Sequence, residues 1–327
     1  MGSGINGCIG RLSVGVAGLV VLSAQALAQD AAPADGAGIV ESVTSDAATS
    51  ASAFDYTILA VQVVLALAAV WIVRSKRLYR PVPGRLTPAE PMPVIPPVML
   101  LVGALVLFLA EFLGAGSAAA LLKLKVGEAA TFRDSTLAMT GHYAGFAAGL
   151  IVLTVMVPHV CKAIGLRFRA SDGVRGIGGA LVLIPIVIFI ATLGALAGDL
   201  LNQSTVDRTA HDGLMRFVTS DDPSMRWLFA LLVVVAAPIA EETMYRGLIQ
   251  SAFLRASRSP WTAIVATSVI FTFMHGPVVA WYALPALFVL SLGLGVAAER
   301  TKGLLAPMVI HGLFNLLNVG FATLSAP

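Results

Sequence analysis

Long apolar runs alternate with short polar breaks along this chain. The runs at 57–73, 98–122, 136–157, 176–198, 227–246, 261–276, 278–298 and 304–323 approach or exceed the roughly 20 residues that a helix needs to cross a bilayer. The sixth is the shortest. The pattern predicts an all-α fold, a polytopic membrane helix bundle of about eight transmembrane helices.

A separate apolar run precedes them. Residues 1–28 carry Arg11, then "LSVGVAGLVVLSAQALA", ending in Ala26-Leu27-Ala28 before Gln29, which is the pattern of a signal peptide with a small-residue cleavage site. Residues 29–55 are rich in Ala, Ser and Asp and hold no Lys or Arg, a composition expected to remain a disordered extracytoplasmic leader. The segment 56–97 combines the first span with "PVPGRLTPAEPMPVIPP", whose seven prolines predict an extended linker. The first helix is therefore expected to be peripheral, and 98–325 to form the core.

Composition agrees with the pattern. Hydrophobic residues make up 57% of the chain and charged residues 12%, with a mean hydropathy of +0.88, far from the roughly 25% charged content of soluble domains. The net charge of +3 is too small to imply nucleic acid as a partner. Of the two cysteines, Cys8 belongs to the signal and Cys161 has no mate, so neither a disulfide framework nor a Cys-rich metal site is expected.

The basic residues fix an orientation instead. One set of loops holds Arg74, Lys76, Arg77, Arg80, Arg85, Lys162, Arg167, Arg169, Arg175, Arg255, Arg258, Arg300 and Lys302, with Arg246 counted at the end of the fifth span. The opposite set holds Lys123, Lys125, Arg133, Arg208, Arg216 and Arg226. The positive-inside rule puts the first set in the cytoplasm and both termini outside. Trp71, Trp227, Trp261 and Trp281 fall at span ends, where amphipathic rings favour the interface.

Ionisable groups inside spans are costly and usually have a use, about 2.5–3.5 kcal/mol each on insertion scales. Here they are Glu111, His142, Glu241, Glu242, Arg246, His275 and His311, the last with Asn315 one turn on. Positions four apart share a helix face, so Glu242 can pair with Arg246 while Glu241, about 100° round the helix, stays available. The same spacing puts Phe271 with His275 and His311 with Asn315.

A carboxylate, two imidazoles and a carboxamide suit hydrolysis. The acid takes a proton from water, an imidazole orients that water, and two donors hold the oxyanion. Glu241, His275 and His311 are also a plausible zinc set with one position open. Neither G-x-S-x-G nor H-E-x-x-H is present. The plainer readings are an ordinary ion pair at the end of a helix and two packed core histidines. Glu111 and His142 are expected to be interhelical hydrogen-bonding groups. Helix rise places Glu241 and His311 at matching depths, but puts His275 about 10 Å too far outward, a mismatch the structure must resolve.

Together "EETMYR", "FTFMH" and "HGLFN" resemble the E-E-x-x-x-R, F-x-x-x-H and H-x-x-x-N signatures of the CPBP family, the CAAX proteases and bacteriocin-processing enzymes. The resemblance implies an intramembrane endopeptidase of glutamic type acting on a membrane-associated protein or peptide. In it Glu241 and His275 would activate water, and His311 and Asn315 would form the oxyanion pocket. Glu242, Arg246 and Phe271 would support them. It leaves open whether a divalent metal such as zinc takes part. The signal and Ala-rich leader suit a bacterial inner membrane. The rival readings are a non-proteolytic membrane scaffold or immunity-type protein, and a proton-coupled transporter.

Overall fold

A computed structural model describes residues 57–80, 95–127, 130–202 and 212–324. The expected signal peptide, the leader and most of the Pro-rich linker lie outside the described residues. Among those described, the long elements are helices α1 (Thr57–Ser75), α2 (Pro97–Leu122), α3 (Phe132–Met156) and α4 (Ala170–Asn202). They continue with α5 (Pro223–Ser257), α6 (Pro260–His275), α7 (Leu284–Thr301) and α8 (Leu305–Leu324). Short helical turns, Val160–Ala163 and Asp212–Val218, lie between them.

Local chemistry sets the starts of these helices. Thr131 and Asp134 form a reciprocal box at the start of α3, the hydroxyl accepting from Asp134 N at 3.1 Å and the carboxylate from Thr131 N at 3.0 Å, which satisfies two donors that a helix end leaves open. Asp222 caps α5 by accepting from Ser224 N and Met225 N. Hydrogen bonds from the Ser224 hydroxyl and the Met225 amide hold the Asp222 carboxyl below its usual range. Ser259 caps α6 and Pro260 follows at its first position, where a missing N–H costs nothing.

Among the described residues seven helices are long and apolar enough to span a bilayer, so the chain is a multi-pass membrane protein. The expected sixth span is the exception: α6 has 16 residues, about 24 Å at 1.5 Å per residue, short of the roughly 30 Å hydrocarbon thickness. Large apolar side chains such as Leu113, Leu121, Val155 and Leu181 point outward, a surface suited to lipid.

The fifth span departs most from expectation. It runs eleven residues beyond Arg246, to Ser257, and Arg246 is fully buried instead of closing the span at a loop. Its charge is met by Glu242 inside the bundle, so it neither ends the helix nor reports topology. Two π-helical stretches, Leu232–Ala236 and Thr243–Ile249, interrupt α5 and flank the short α-helical piece Ala237–Glu242. Such widened turns often mark functional sites.

α5 is the hub. On one side α2, α3 and α6 join it around Leu100, Leu107, Phe146, Tyr245, Leu248 and Phe271. On the other, α4, α7 and α8 share a core of Ile184, Val187, Leu290, Leu294 and Ile310. α2 and α3 approach so closely that a Cβ on Gly145 would overlap the Ala110 carbonyl oxygen, and one on Gly114 would overlap that of Gly141. Small residues allow this backbone contact, which replaces the hydrophobic drive absent between helices in lipid. α1 leans on α4, where the Thr192 hydroxyl donates to the Gln62 side chain at 3.1 Å.

Candidate active site

Glu241 and Glu242 end the α-helical piece between the two π turns and point to different neighbours. Glu242 is fully buried. Its Oε1 accepts from the Arg246 guanidinium at 3.1 Å and from His311 Nδ1 at 2.9 Å. The other arm of the guanidinium donates to the Ser291 hydroxyl at 2.8 Å and the Ser291 carbonyl at 3.2 Å. The cation also lies over the Phe271 ring, 4.7 Å from its centroid. The i,i+4 pairing read from sequence is therefore present, and α7 and α8 complete it.

Glu241 is about a quarter exposed, and its Oε2 lies 3.8 Å from His275 Nε2 and 3.9 Å from His311 Nε2. Both distances exceed a direct hydrogen bond and suit one bridging water. Among the described residues Glu241 Oε2 is buried and has no hydrogen-bond partner of its own. The far side of each ring is already committed: His275 Nδ1 meets the Phe271 carbonyl at 2.7 Å and His311 Nδ1 meets Glu242. Both partners only accept, so each Nδ1 carries the proton. In a neutral ring each Nε2 then presents a lone pair towards Glu241.

The depth mismatch vanishes with the longer α5. Glu241 is 16 residues from Ser257, and His275 is 15 from Pro260, or about 24 Å and 22 Å from adjacent helix ends at 1.5 Å per residue. α8 starts higher, because the turn before it is buried, with Leu304 packed against Gly247. That brings His311 level with Glu241.

Asn315 lies one turn beyond His311, and its Nδ2 donates to the Val233 carbonyl at 2.8 Å. Glu241, His275 and His311 thus converge, with Glu242, Arg246 and Phe271 directly behind them. Asn315 reaches the same stretch of α5 through the backbone. Glu111 and His142 find each other across the α2–α3 contact, at 3.6 Å.

Sequence reasoning missed Ser291, which no local signal marks, and the polar ladder below the site. Gln250 donates to Glu299 at 2.8 Å and to the Gly295 carbonyl at 3.2 Å. The spacing 242, 246, 250 was a readable signal for the first of these, since each step is one turn of one face. Two imidazoles and a carboxylate are donor types that zinc accepts. Their spacings, however, are wider than the ~3.3 Å between two ligands of one tetrahedral zinc with bonds of 2.0–2.1 Å. Among the described residues no group of three His, Cys, Asp or Glu is assembled as a metal site.

Fold and site together define a polytopic helical membrane protein with a carboxylate–imidazole cluster carried by three helices. Residues 223–317, the segment that carries this cluster, match the family described as "Type II CAAX prenyl endopeptidase Rce1-like". An "Uncharacterized 24.3 kDa protein" of Escherichia coli is 25% identical over 142 residues, covering 42% of this chain and 59% of that protein. The chain thus spans about three-fifths of the length of this curated relative. No solved structure matches.

Proposed function

We propose that the chain is an intramembrane endopeptidase that hydrolyses peptide bonds of a membrane-associated protein or peptide. The observation that carries this reading is the convergence of Glu241 Oε2 with the Nε2 atoms of His275 and His311 at 3.8 and 3.9 Å. One water fits there, giving one proton to the carboxylate and sharing the other with His275 Nε2.

Glu241 takes the proton as the water oxygen bonds to the substrate carbonyl carbon, whose π electrons move to oxygen. The resulting oxyanion meets two donors: the second amide hydrogen of Asn315, and Nε2–H of His311, which in this scheme enters the step already carrying a proton on each ring nitrogen and keeps both throughout. Glu242 stabilises that form through Nδ1. On collapse the carbonyl reforms, the C–N bond breaks, and the departing nitrogen recovers the proton from Glu241, leaving a carboxylic acid and an amine. Preorganised donors of this kind are worth about 10²–10³ in kcat apiece.

Glu241, His275 and His311 are the donor types a divalent ion would take, but at their present spacing of 3.8 and 3.9 Å they do not fit one, and no step is assigned to it. Placement in a bacterial inner membrane, read from the expected signal and leader, and an orientation with both ends outside, read from the basic loops and requiring the short α6 to complete an eighth crossing, belong to the same proposal.

The test is cleavage of membrane peptides by the purified chain in nanodiscs. Glu241→Gln and His275→Ala should each abolish turnover while the bundle stays folded. A Glu241→Gln chain with full turnover refutes the reading.

A further inference from the structure

Pro238 stands three residues before Glu241, in the middle of α5. A proline there removes one backbone donor. Just before it the helix is already in the wider register, with Ala237 N–H bonding five residues back to the Leu232 carbonyl. In that register the Val233 carbonyl should be met by the N–H of residue 238, and proline has none. An unmet buried carbonyl is costly in an apolar surrounding. Asn315 on α8 supplies the missing donor at 2.8 Å.

The helix that carries Asn315 is shaped to reach this break. At Gly312, one turn earlier, a Cβ would lie 2.9 Å from the Val234 carbonyl oxygen and 3.9 Å from Pro238 Cγ. Only glycine lets α8 lie this close to the interrupted backbone. The bond also decides which way the carboxamide faces. Val233 O accepts, so the amide nitrogen of Asn315 turns towards it. In a planar carboxamide, fixing one N–H fixes the direction of the other.

We infer that Pro238 is a positioning residue: by silencing one backbone donor it leaves the Val233 carbonyl as the anchor that aims the second N–H of Asn315 at the oxyanion. This rests on the peptidase reading above. A proline that merely bends α5 would affect packing and stability, whereas one that aims a donor affects the transition state more than substrate binding.

Restoring the missing N–H separates these roles. Wild type, P238A, N315A, P238A/N315A and, from the opposite helix, G312A are compared in nanodiscs for kcat, KM and melting temperature, using a transmembrane peptide that wild type cleaves. In P238A the Val233 carbonyl can close within α5 and release Asn315. The expected result is kcat lowered at least tenfold with KM within about twofold, and N315A lowered about 10²–10³-fold. The double variant should be no worse than N315A alone. G312A should repeat the kcat-only loss by displacing α8, and it decides the matter if P238A does not fold.

Wild-type kcat in P238A or in G312A overturns the inference, as do losses that multiply in the double variant. Those outcomes leave the peptidase reading intact. A wild-type chain that cleaves no membrane peptide overturns both.

Discussion

Replacing Arg246 with Met tests whether the buried ion pair is the strut of the site. The guanidinium is fully buried and gives one bond to Glu242 and two to Ser291. Methionine keeps much of the volume and removes all three. What dominates is the carboxylate left behind, fully buried with only His311 Nδ1 to meet it. Breaking a buried pair from one side costs about 3–5 kcal/mol, because an uncompensated charge remains. That is about a 10²–10³·⁵-fold fall in the folding equilibrium, since 1.4 kcal/mol is tenfold. Adding Glu242→Gln to Arg246→Met removes the stranded charge, so the double variant should regain about half of the loss. Arg246→Lys keeps the charge but not the fork that serves Glu242 and Ser291 together, and should fall in between. Denaturation in detergent, followed by labelling of Cys161 in a Cys8→Ser background, reads each stability. An Arg246→Met chain within about 1 kcal/mol of wild type, or a double variant as unstable as the single, would refute the assignment of the pair as an electrostatic strut.

Gly145→Ala places a methyl group against the Ala110 carbonyl, and overpacking of this kind costs about 1–3 kcal/mol or more; the measurement is the melting temperature, which should fall, and an unchanged value would disprove the backbone contact. Gln62→Leu breaks the bond to Thr192, and since such interhelical bonds average about 0.6 kcal/mol in membranes, the core should stay within about 1 kcal/mol of wild type while α1 becomes more accessible to protease. Incubation with phenanthroline should leave turnover intact if the side chains alone run the reaction; a loss that added zinc reverses would assign a metal to Glu241, His275 and His311.

The helices were legible because apolar length is the strongest signal a membrane chain carries, and because polar groups at four-residue spacing announce a shared face. The convergence of Glu241, His275 and His311 was legible for the same reason. The end of α5 was not. A charged residue closing an apolar run reads as a boundary, yet Arg246 lies inside the bundle because its partner is on the same helix, one turn away. The π turns were equally invisible, since no residue type encodes a widened turn. Their effect on the site is large, because they set where Glu241 and Glu242 point.

The two glutamates show why adjacent carboxylates are useful in an apolar bundle. A single carboxylate would have to be either compensated and inert or free and costly to bury. Here Glu242 takes the compensation, holding Arg246 and the Nδ1 proton of His311, while Glu241 turns a buried oxygen, without a hydrogen-bond partner among the described residues, towards both Nε2 atoms. His311 bonds Glu242 and faces Glu241 at 3.9 Å, so its state depends on each: Glu242 fixes its tautomer, and in the proposed reaction a proton on Nε2 makes it a donor towards the oxyanion. The division has a consequence for mutants. Glu242→Gln leaves Glu241 in place but weakens the hold on a cationic His311, so it should lower kcat with KM little changed, whereas Glu241→Gln removes the proposed base itself. Equal and complete loss in both would mean that the pair acts as one shared acid, and the separation of roles would be wrong.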